Sequence, residues 1–306
     1  MKQIVIIGSS NTDMVIHSDH LPKPGETVLG GNFMMNHGGK GANQAVSVAR
    51  LGAPCCFIAR VGCDVFGHET IEMLRTTGID ISHVYPTPGY SSGIALINVD
   101  DAGENSISVA SGANAVLSPD DIDSAEQHIG NASMVLMQLE TPLDTVMRAA
   151  QIARRHGVKV ILNPAPVPRQ PLPEELLASV DILIPNKTEA EIIAGIKIES
   201  EADEIKAVRR IKAMGVGSVV ITLGSKGALI CDDDECTLVP AFRVSPVDTT
   251  AAGDTFCGAL CVALNEGLGK RDAIVFANKA AAISVTRHGA QKSIPTRSEL
   301  DSYIFD

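Results

Sequence analysis

One stretch of the sequence joins a carboxylate to the start of a buried helix. Residues 248–258 read Asp-Thr-Thr-Ala-Ala-Gly-Asp-Thr-Phe-Cys-Gly, and the apolar run after them predicts a helix over 252–266 that ends at Gly267. The first amides of a helix lack partners within it and attract anions such as phosphate. Asp254 falls in that first turn, so we interpret the stretch as a carboxylate beside an anion site, suited to chemistry on a phosphate. An ordinary helix with an aspartate cap is the alternative.

A second candidate segment is rich in glycine. Residues 36–43 read Asn-His-Gly-Gly-Lys-Gly-Ala-Asn and precede a helix predicted over 44–51. Its glycines allow a ligand to approach the backbone closely, while Lys40 supplies a charge and Asn43 supplies donor and acceptor groups. The segment is not a Walker A motif, because Gly41 follows the lysine where Ser or Thr is needed. We interpret it as a loop that recognises a polyol or an anion; a plain loop before a helix is the alternative.

Strands and helices alternate along most of the chain. Strands are predicted at 4–7, 55–61, 134–139, 159–163, 181–185 and 218–223, and helices at 66–76, 119–128, 142–156, 173–178, 187–194, 201–214 and 270–286. This alternation predicts a mainly parallel sheet, whose strands all end on one rim. Several predicted strands are followed there by polar residues: Asn11, Asp13, Glu140, Asn163, Asn186 and Thr222. We expect these residues to form one polar cleft.

Two regions depart from this alternation and predict a small β lobe. Short strands are predicted at 15–16, 27–29, 32–35, 91–99 and 105–110, the last two as a hairpin. We divide the chain into an α/β domain (1–11, 36–85 and 112–306) and a discontinuous β lid (12–35 and 86–111). A further antiparallel hairpin, 227–231 with 237–239, is predicted at the sheet edge around the acidic turn 232–235.

Composition narrows the classes of partner. The net charge is −11, and no basic run is longer than Arg209-Arg210, which argues against nucleic acid and anionic membranes. Aromatic residues make up only 3%, too few for a base-stacking platform. The apolar run 4–7 is too short for a signal peptide or a membrane span. The seven cysteines form no CxxC pair, and Cys257 and Cys261 fall on the buried helix, so we expect a reduced, cytoplasmic protein.

Several reaction classes are disfavoured by missing motifs. No G-x-G-x-x-G follows the first strand, and neither H-E-x-x-H nor G-x-S-x-G occurs, which argues against a dehydrogenase, a zinc protease and a serine esterase. What remains is a carboxylate beside an anion site together with two glycine-rich segments. Phosphoryl transfer needs these parts: positioning, stabilisation of charge, and a carboxylate that accepts the proton of a hydroxyl group.

At this point the motifs resemble a known family, the ribokinase-like carbohydrate kinases. The similarity covers nearly the whole chain and is carried by residues 8–13, 38–45 and 248–258. It implies a ribokinase-like three-layer sandwich with a mainly parallel sheet and a small β-sheet lid. It also implies Mg²⁺-dependent transfer of phosphate from ATP to a sugar hydroxymethyl group. The loop of residues 38–43 most resembles the members of the family whose product is ribose 5-phosphate. Deoxyribose, fructose, ketodeoxygluconate and adenosine are alternative substrates, and a non-catalytic sugar-binding regulator is a further alternative.

The resemblance also implies roles for single residues. Asp254 matches the catalytic base, and the amides of Ala251, Ala252 and Gly253 match an anion hole, although Ala251 replaces a usual glycine. The sugar-binding positions are Asn11, Asp13, Gly39, Lys40, Asn43, Glu140 and Asp254. The nucleotide positions are Asn186, Glu189, Thr222, Gly224, Ser225, Gly227, Gly253 and Asn278, of which the first two help to organise magnesium. The positions of a K⁺ site are Asp248, Thr250, Ser284, Arg287, Gly289 and Ser293. The family further implies a homodimer joined through the lid.

Overall fold

The strands in the described part of the chain form two sheets. The computed structural model describes residues 1–232 and 235–305. In chain order the strands are β1 (Ile4–Ile7), β2 (Asn11–Ser18), β3 (Phe33–Gly38), β4 (Cys55–Gly62), β5 (Asp80–Thr87), β6 (Gly93–Asp100), β7 (Asn105–Ala110), β8 (Met134–Met137), β9 (Lys159–Leu162), β10 (Ile182–Leu183), β11 (Ser218–Thr222), β12 (Gly227–Asp232) and β13 (Glu235–Pro240). The main sheet has the order β13-β12-β11-β10-β9-β8-β1-β4-β5. Its strands are parallel except β12, which runs antiparallel to both neighbours.

Helices cover both faces of the main sheet. In chain order they are α1 (Lys40–Arg50), α2 (Val65–Thr76), α3 (Pro119–Ser124), α4 (Glu126–Asn131), α5 (Leu143–Arg155), α6 (Glu174–Ala178), α7 (Lys187–Ala194), α8 (Glu201–Lys212), α9 (Ala252–Asn265), α10 (Lys270–Ser284) and α11 (Arg297–Ser302). Along β1, Ile4 and Ile6 pack on the side of α1, α9 and α10, while Val5 and Ile7 pack on the side of α5 and α8. Burial on both faces explains why β1 is an unbroken apolar run. None of the described helices is long and apolar enough to cross a bilayer.

The small sheet has the order β3-β2-β6-β7. Strands β2 and β6 run parallel, and the two outer pairs are antiparallel. Strand β5 belongs to the main sheet, although its last residues fall within the range 86–111 assigned to the lid. The division of the chain into an α/β domain and a lid stays a prediction, whereas the predicted three-layer fold with a second, small sheet is confirmed.

Some predicted elements were wrong at the edges of the fold. Residues 27–29 form no strand, and the Leu29 side chain is 94% exposed. Strand β5 was not predicted. It is an edge strand that pairs only with β4. Pro86 is tolerated there because the unpaired side of an edge strand needs no backbone N–H donors. The helix predicted over 119–128 is interrupted at Ala125 and forms α3 and α4, and α11 was not predicted.

The cysteines also differ from the expectation of a fully reduced protein. Cys231 and Cys236 form a disulfide, because the antiparallel register of β12 and β13 places them directly opposite each other. Cys257 and Cys261 are free and buried in the core, as expected. The acidic turn predicted between β12 and β13 includes Asp233 and Asp234, which lie outside the described residues.

Candidate active site

The amino end of α1 lies against the carboxyl end of β1, and glycines permit this contact. The helix begins at Lys40, four residues earlier than predicted, so Gly41 lies within it. A Cβ atom on Gly41 would lie 2.7 Å from the carbonyl carbon of Gly8. Gly39 adopts a φ of 86°, and a Cβ there would lie 2.7 Å from the amide nitrogen of Asn11. The glycines thus pack a helix start tightly against a strand end rather than form a flexible loop.

Asp254 is the buried hydrogen-bond acceptor at the centre of the site. Asn43 Nδ2 donates to its Oδ2 at 2.9 Å, and Gln44 Nε2 donates to its Oδ1 at 3.0 Å. Burial raises the pKa of Asp254 above its ordinary value, although Lys40 and the two amide donors oppose the rise. A carboxyl group with a raised pKa suits a general base, because its pKa lies nearer the working pH.

The turn before α9 is strained. Ala251 adopts φ 59° and ψ 11°, and it is the one non-glycine residue with positive φ in the described ranges 1–232 and 235–305. This left-handed conformation costs a residue with a Cβ roughly 1–2 kcal/mol. Ala252 N donates to Thr249 O at 3.2 Å, whereas no bond to another described residue engages the amides of Ala251 and Gly253. The turn therefore leaves backbone donors free next to Asp254, as an anion site requires.

A cleft of about 240 Å³ opens beside this turn. Its lining comprises Lys40, Asn163, Ala165, Ile184, Asn186, Glu189, Thr222, Thr249, Ala251, Ala252, Gly253, Asp254 and Cys257. The polar residues Asn163, Asn186 and Thr222 come from the ends of β9, β10 and β11, which are parallel neighbours. The cleft thus lies outside the carboxyl ends of the strands, as predicted, but only these three of the six residues expected to form one cleft line it; Asn11, Asp13 and Glu140 do not.

A larger cavity of about 430 Å³ lies between the small sheet and the segments 246–250 and 288–290. Asp13 lines it from β2, together with Asn36 from β3. Gly38 leaves room for the Asp13 carboxylate, since a Cβ there would lie 2.1 Å from Asp13 Oδ2. Burial, then the charges of Glu140 and Asp254, raise the pKa of Asp13 to about 7. Asp13 is therefore a buried acid that changes charge near neutral pH.

The charges of Glu140 and Lys40 act on both Asp13 and Asp254. The Glu140 carboxylate accepts hydrogen bonds from Ser9 Oγ and from Lys40 N. Burial would lower the pKa of Lys40, but Asp254, Glu140 and Glu189 outweigh burial and hold it above its ordinary value. A charged Lys40 thus offsets part of the repulsion among the acids.

The other predicted sugar-binding amide, Asn11, is also buried. Its Oδ1 accepts a hydrogen bond from Asn114 Nδ2 at 2.8 Å. Asn114 also binds the backbone of Ser10, so it holds the turn that leads into β2. The Asn11 side chain is therefore fixed by a partner that lies more than a hundred residues away in sequence.

A third cavity, of about 260 Å³, continues from Asn186 and Thr222 away from Asp254. Gly224 and Lys187 also line it. Asn186 and Glu189 form a capping box at the start of α7, in which each side chain accepts from the other's backbone amide at 2.8 Å. Burial raises the pKa of Glu189, although the Asn186 amide opposes this. The N-x-x-E element therefore caps a helix and still lines the cleft.

Three predicted nucleotide positions lie apart from these linings. Ser225 is exposed in the loop after β11. Gly227 adopts φ 110°, and a Cβ there would lie 2.1 Å from Val239 O, so it is required by the hairpin itself. Asn278 Nδ2 donates to Val239 O and Pro240 O at 3.1 Å, which fastens α10 to β13.

Of the predicted cation positions, Asp248 and Thr250 lie in the loop before α9, and Gly289 is hydrogen-bonded to this loop. Asp248 accepts from Thr250 N at 2.9 Å and from Gly289 N at 2.8 Å. Burial would raise the pKa of Asp248, but these bonds hold it below its ordinary value. Ser284 Oγ and Ser293 Oγ donate to backbone carbonyls at 2.8 and 2.7 Å, which leaves their oxygen lone pairs for another partner. Arg287 instead pairs with Glu299, so only its backbone could serve a cation.

Two residues of the site were missed from sequence. Gln44 binds Asp254 directly, and Ser9 binds Glu140. A helix predicted to begin at Lys40 would place residues 43 and 44 in its first two turns, next to the predicted sugar positions. Ser9 offered no comparable signal, because a serine after a strand is ordinary turn chemistry.

Comparison with known proteins agrees with this geometry. Residues 1–297 match the pfkB family of carbohydrate kinases. The chain belongs to this family. It is therefore a phosphotransferase. Within the pfkB family, the chain is 46% identical over 303 residues to a ribokinase of Haemophilus influenzae, covering 99% of this chain and 98% of that protein.

This pfkB-family kinase is also similar to a deoxyribokinase and to a solved ribokinase structure. It is 38% identical over 301 residues to a deoxyribokinase of Salmonella typhi, which covers 98% of both chains. The structure of Arabidopsis thaliana ribokinase complexed with ribose and ATP superposes with a TM-score of 0.90 at 34% identity, covering 98% of this chain and 97% of that one. The fold of the present chain is thus a ribokinase fold.

Proposed function

We propose that this kinase transfers the γ-phosphoryl group of ATP to the 5-hydroxyl of D-ribose. The observation that carries the proposal is the position of Asp254, one residue from the free amide of Gly253 and in hydrogen-bond contact with α1. The relatives named ribokinase, 46% identical in Haemophilus influenzae, support ribose as the acceptor.

Asp254 would act as the general base of this transfer. Its carboxylate takes the proton of the sugar hydroxyl as the oxygen attacks the phosphorus, and ADP leaves on the opposite side. The unbonded amides of Ala251 and Gly253 would stabilise the charge on the transferred group, and the amide of Ala252 could join them only by giving up its bond to Thr249 O. Lys40, which also lines the cleft, adds a positive charge.

Buried acceptors would hold the sugar in the adjoining cavity. Asp13 lines this cavity, Asn11 and Asn43 are buried, and Glu140 is half-buried, so all four polar groups are largely withdrawn from bulk water. We assign the amide of Gly39 and the ammonium group of Lys40 to the same sugar subsite. Carboxylates and amides that bind sugar hydroxyls fix which hydroxyl faces Asp254.

The nucleotide would extend from the cleft toward Thr222 and Gly224. Magnesium usually takes one or two carboxylates together with substrate phosphates, and Glu189 lines the cleft as such a carboxylate. No described group of three or more His, Cys, Asp or Glu side chains forms a metal cluster. We assign Ser225, Gly227 and Asn278 to the walls around the nucleotide base.

The test is a substrate panel with ATP. We expect ADP release with D-ribose to exceed that with fructose, ketodeoxygluconate and adenosine by at least ~10²-fold in kcat/KM, since a site built for particular hydroxyls rejects sugars that leave its buried groups unpaired. Higher kcat/KM with any of these three would overturn ribose as the substrate.

Deoxyribose is the second candidate acceptor, because a deoxyribokinase is 38% identical over nearly the whole chain. The two sugars differ by one hydroxyl, so the comparison needs kcat/KM for both under the same conditions. A ratio that favours deoxyribose would assign the chain to that substrate and leave the phosphotransferase mechanism unchanged.

We also propose that K⁺ binds behind the anion hole. Asp248 and the oxygens around Thr250, Ser284, Arg287, Gly289 and Ser293 are oxygen donors, which suit an alkali cation. The ion would hold the strained turn at Ala251 in shape without touching the sugar. The ribose assay should therefore run faster in K⁺ than in tetramethylammonium; equal rates would exclude this role.

The lid is the proposed dimer interface. Its outer face exposes Ile16 (43%), Phe33 (59%), Met35 (46%) and Leu96 (52%), which the strand register places side by side. An exposed apolar sheet face of this kind is a typical protein-binding surface, and a second copy of the chain would cover it by two-fold symmetry. We further propose that the enzyme works in the cytoplasm, where ATP is available.

Phe33→Asp tests the dimer. We expect the wild type to sediment at twice the mass of the chain and Phe33→Asp to shift toward the monomer, because the charge would be buried in the interface. Ile192→Asp on α7, where the apolar side chain is 56% exposed, is the matched control and should keep the wild-type mass. A monomeric wild type at assay concentration would rule the dimer out.

A further inference from the structure

Two buried glutamines extend from Asp254 into the protein. Gln44 Nε2 donates to Asp254 Oδ1 at 3.0 Å, and Gln138 Nε2 donates to Gln44 Oε1 at 2.6 Å. Both glutamines are 0% exposed, and neither lines the cleft. Burying amides is costly unless they are hydrogen-bonded, so apolar residues would fill this space at lower cost. We therefore expect the two amides to have a role beyond packing.

The charge of Asp254 fixes the direction of this chain of amides. An ionised carboxylate only accepts hydrogen bonds, so Gln44 must present its amide nitrogen. The Gln44 oxygen then faces Gln138, which must present its own nitrogen in turn. Conversely, two amides in this order favour the ionised form of Asp254 over the protonated form.

Packing holds the far end of the chain of amides. A Cβ atom on Gly8, the residue after β1, would lie 1.9 Å from Gln138 Oε1, so the backbone there closes on that side chain. Gln44 Nε2 also donates to Asn163 Oδ1 at 3.2 Å, which fixes the amide nitrogen from a second side. Gln44 is thus constrained at both ends of its amide group.

We propose that Gln44, oriented by Gln138, is a positioning residue that holds the Asp254 carboxylate ionised and aimed at the sugar hydroxyl. The inference rests on the proposed function, in which Asp254 is the base. Asn43 binds the other carboxylate oxygen but is also assigned to the sugar, whereas Gln44 lines neither cavity and reaches the cleft only through Asp254 and Asn163. Asn163 is not ionisable, so an effect of Gln44 on the pKa of the base would pass through its hydrogen bond to Asp254.

The remaining charged surroundings of Asp254 stay constant in this test. The titratable groups that face it are Lys40, Asp13, Glu140, Glu189 and Cys257. Replacing Gln44 changes none of them. A shift in the acid limb of the kcat–pH profile on replacing Gln44 therefore reports the lost amide donor.

The experiment compares the steady-state kinetics of Gln44→Met and Gln138→Met in the full chain, with ribose varied at saturating ATP. Methionine keeps the length of the side chain and removes its donor. We expect Gln44→Met to lower kcat roughly 10–100-fold, to change the KM for ribose less than about 3-fold, and to move the acid limb of kcat to higher pH. Gln138→Met should act in the same direction by about 3–10-fold and should cost nothing further in the double variant.

Gln151→Met, on the exposed side of α5, is the control and should match the wild type. The position of the acid limb does not depend on the active fraction of a sample, so it remains informative if a variant folds poorly. An unmoved acid limb in Gln44→Met would make the residue structural and overturn the inference. Full turnover in Asp254→Asn would instead refute the proposed base itself.

Discussion

Asp254→Asn is expected to lower kcat with ribose by roughly 10²–10⁴-fold, the range that a general base contributes. The substitution keeps the shape of the side chain but removes the group that accepts the hydroxyl proton. The KM for ribose should change far less, because Lys40, Asp13 and Glu140 remain. Steady-state kinetics across pH 6–9 measure the effect.

The fold should survive this change. The asparagine NH₂ group would face a donor of Asn43 or Gln44, so one hydrogen bond is lost. The substitution also removes a buried carboxyl group, whose pKa is raised by burial. The two effects oppose each other, so we expect a small shift in Tm. Asp121→Asn is the matched control: Asp121 and Asp254 are both 8% exposed, but Asp121 pairs with Arg60 outside the site. That variant should lose stability and keep its turnover.

Asp13→Asn is expected to stabilise the unliganded enzyme and impair it as a kinase. Burial raises the pKa of Asp13 to about 7, against 3.8 for the ordinary group. Between these values the folded protein holds a proton that the unfolded chain has released, so stability falls as pH rises through this window. Above pH 7 the ionised carboxylate lowers the free energy of unfolding by up to about 4 kcal/mol, and asparagine removes this loss.

The gain in stability should therefore depend on pH. Urea unfolding at pH 8 should show Asp13→Asn more stable than the wild type, with a much smaller difference at pH 4. The kcat/KM for ribose should fall about 10–100-fold, because a hydrogen bond to a charged acceptor is lost. Asp19→Asn, whose side chain is 72% exposed, is the control and should change neither quantity. Equal stability of Asp13→Asn and wild type at pH 8 would contradict the raised pKa.

The sheet and the location of the cleft could be predicted from sequence because they follow from short-range patterns. Runs such as Ile4–Ile7 show burial on both faces, and helices of suitable length between strands imply parallel pairing. Once the strands are parallel, Asn163, Asn186 and Thr222 must share one rim. The family resemblance then supplied roles that no spacing could supply.

The start of α1 could not be predicted in the same way. Three glycines between residues 38 and 41 disfavour a helix by local propensity, yet contact with β1 makes a helix start there favourable. This tertiary contact is what brings Gln44 to Asp254. The Cys231–Cys236 disulfide was missed for a similar reason, since it depends on the register of two strands rather than on a cysteine motif.

The contact between Gly8 and Gly41 has a consequence for how the enzyme tolerates sequence change. Neither residue has a side chain to offer a ligand, yet a single methyl group at Gly41 would meet the backbone of Gly8 at 2.7 Å. Relief of that overlap would move the start of α1 away from the end of β1, and with it Lys40, Asn43 and Gln44. In a saturation screen for sugar phosphorylation, these two positions should be as intolerant as Asp254, because the missing atoms set how closely the start of α1 approaches the end of β1.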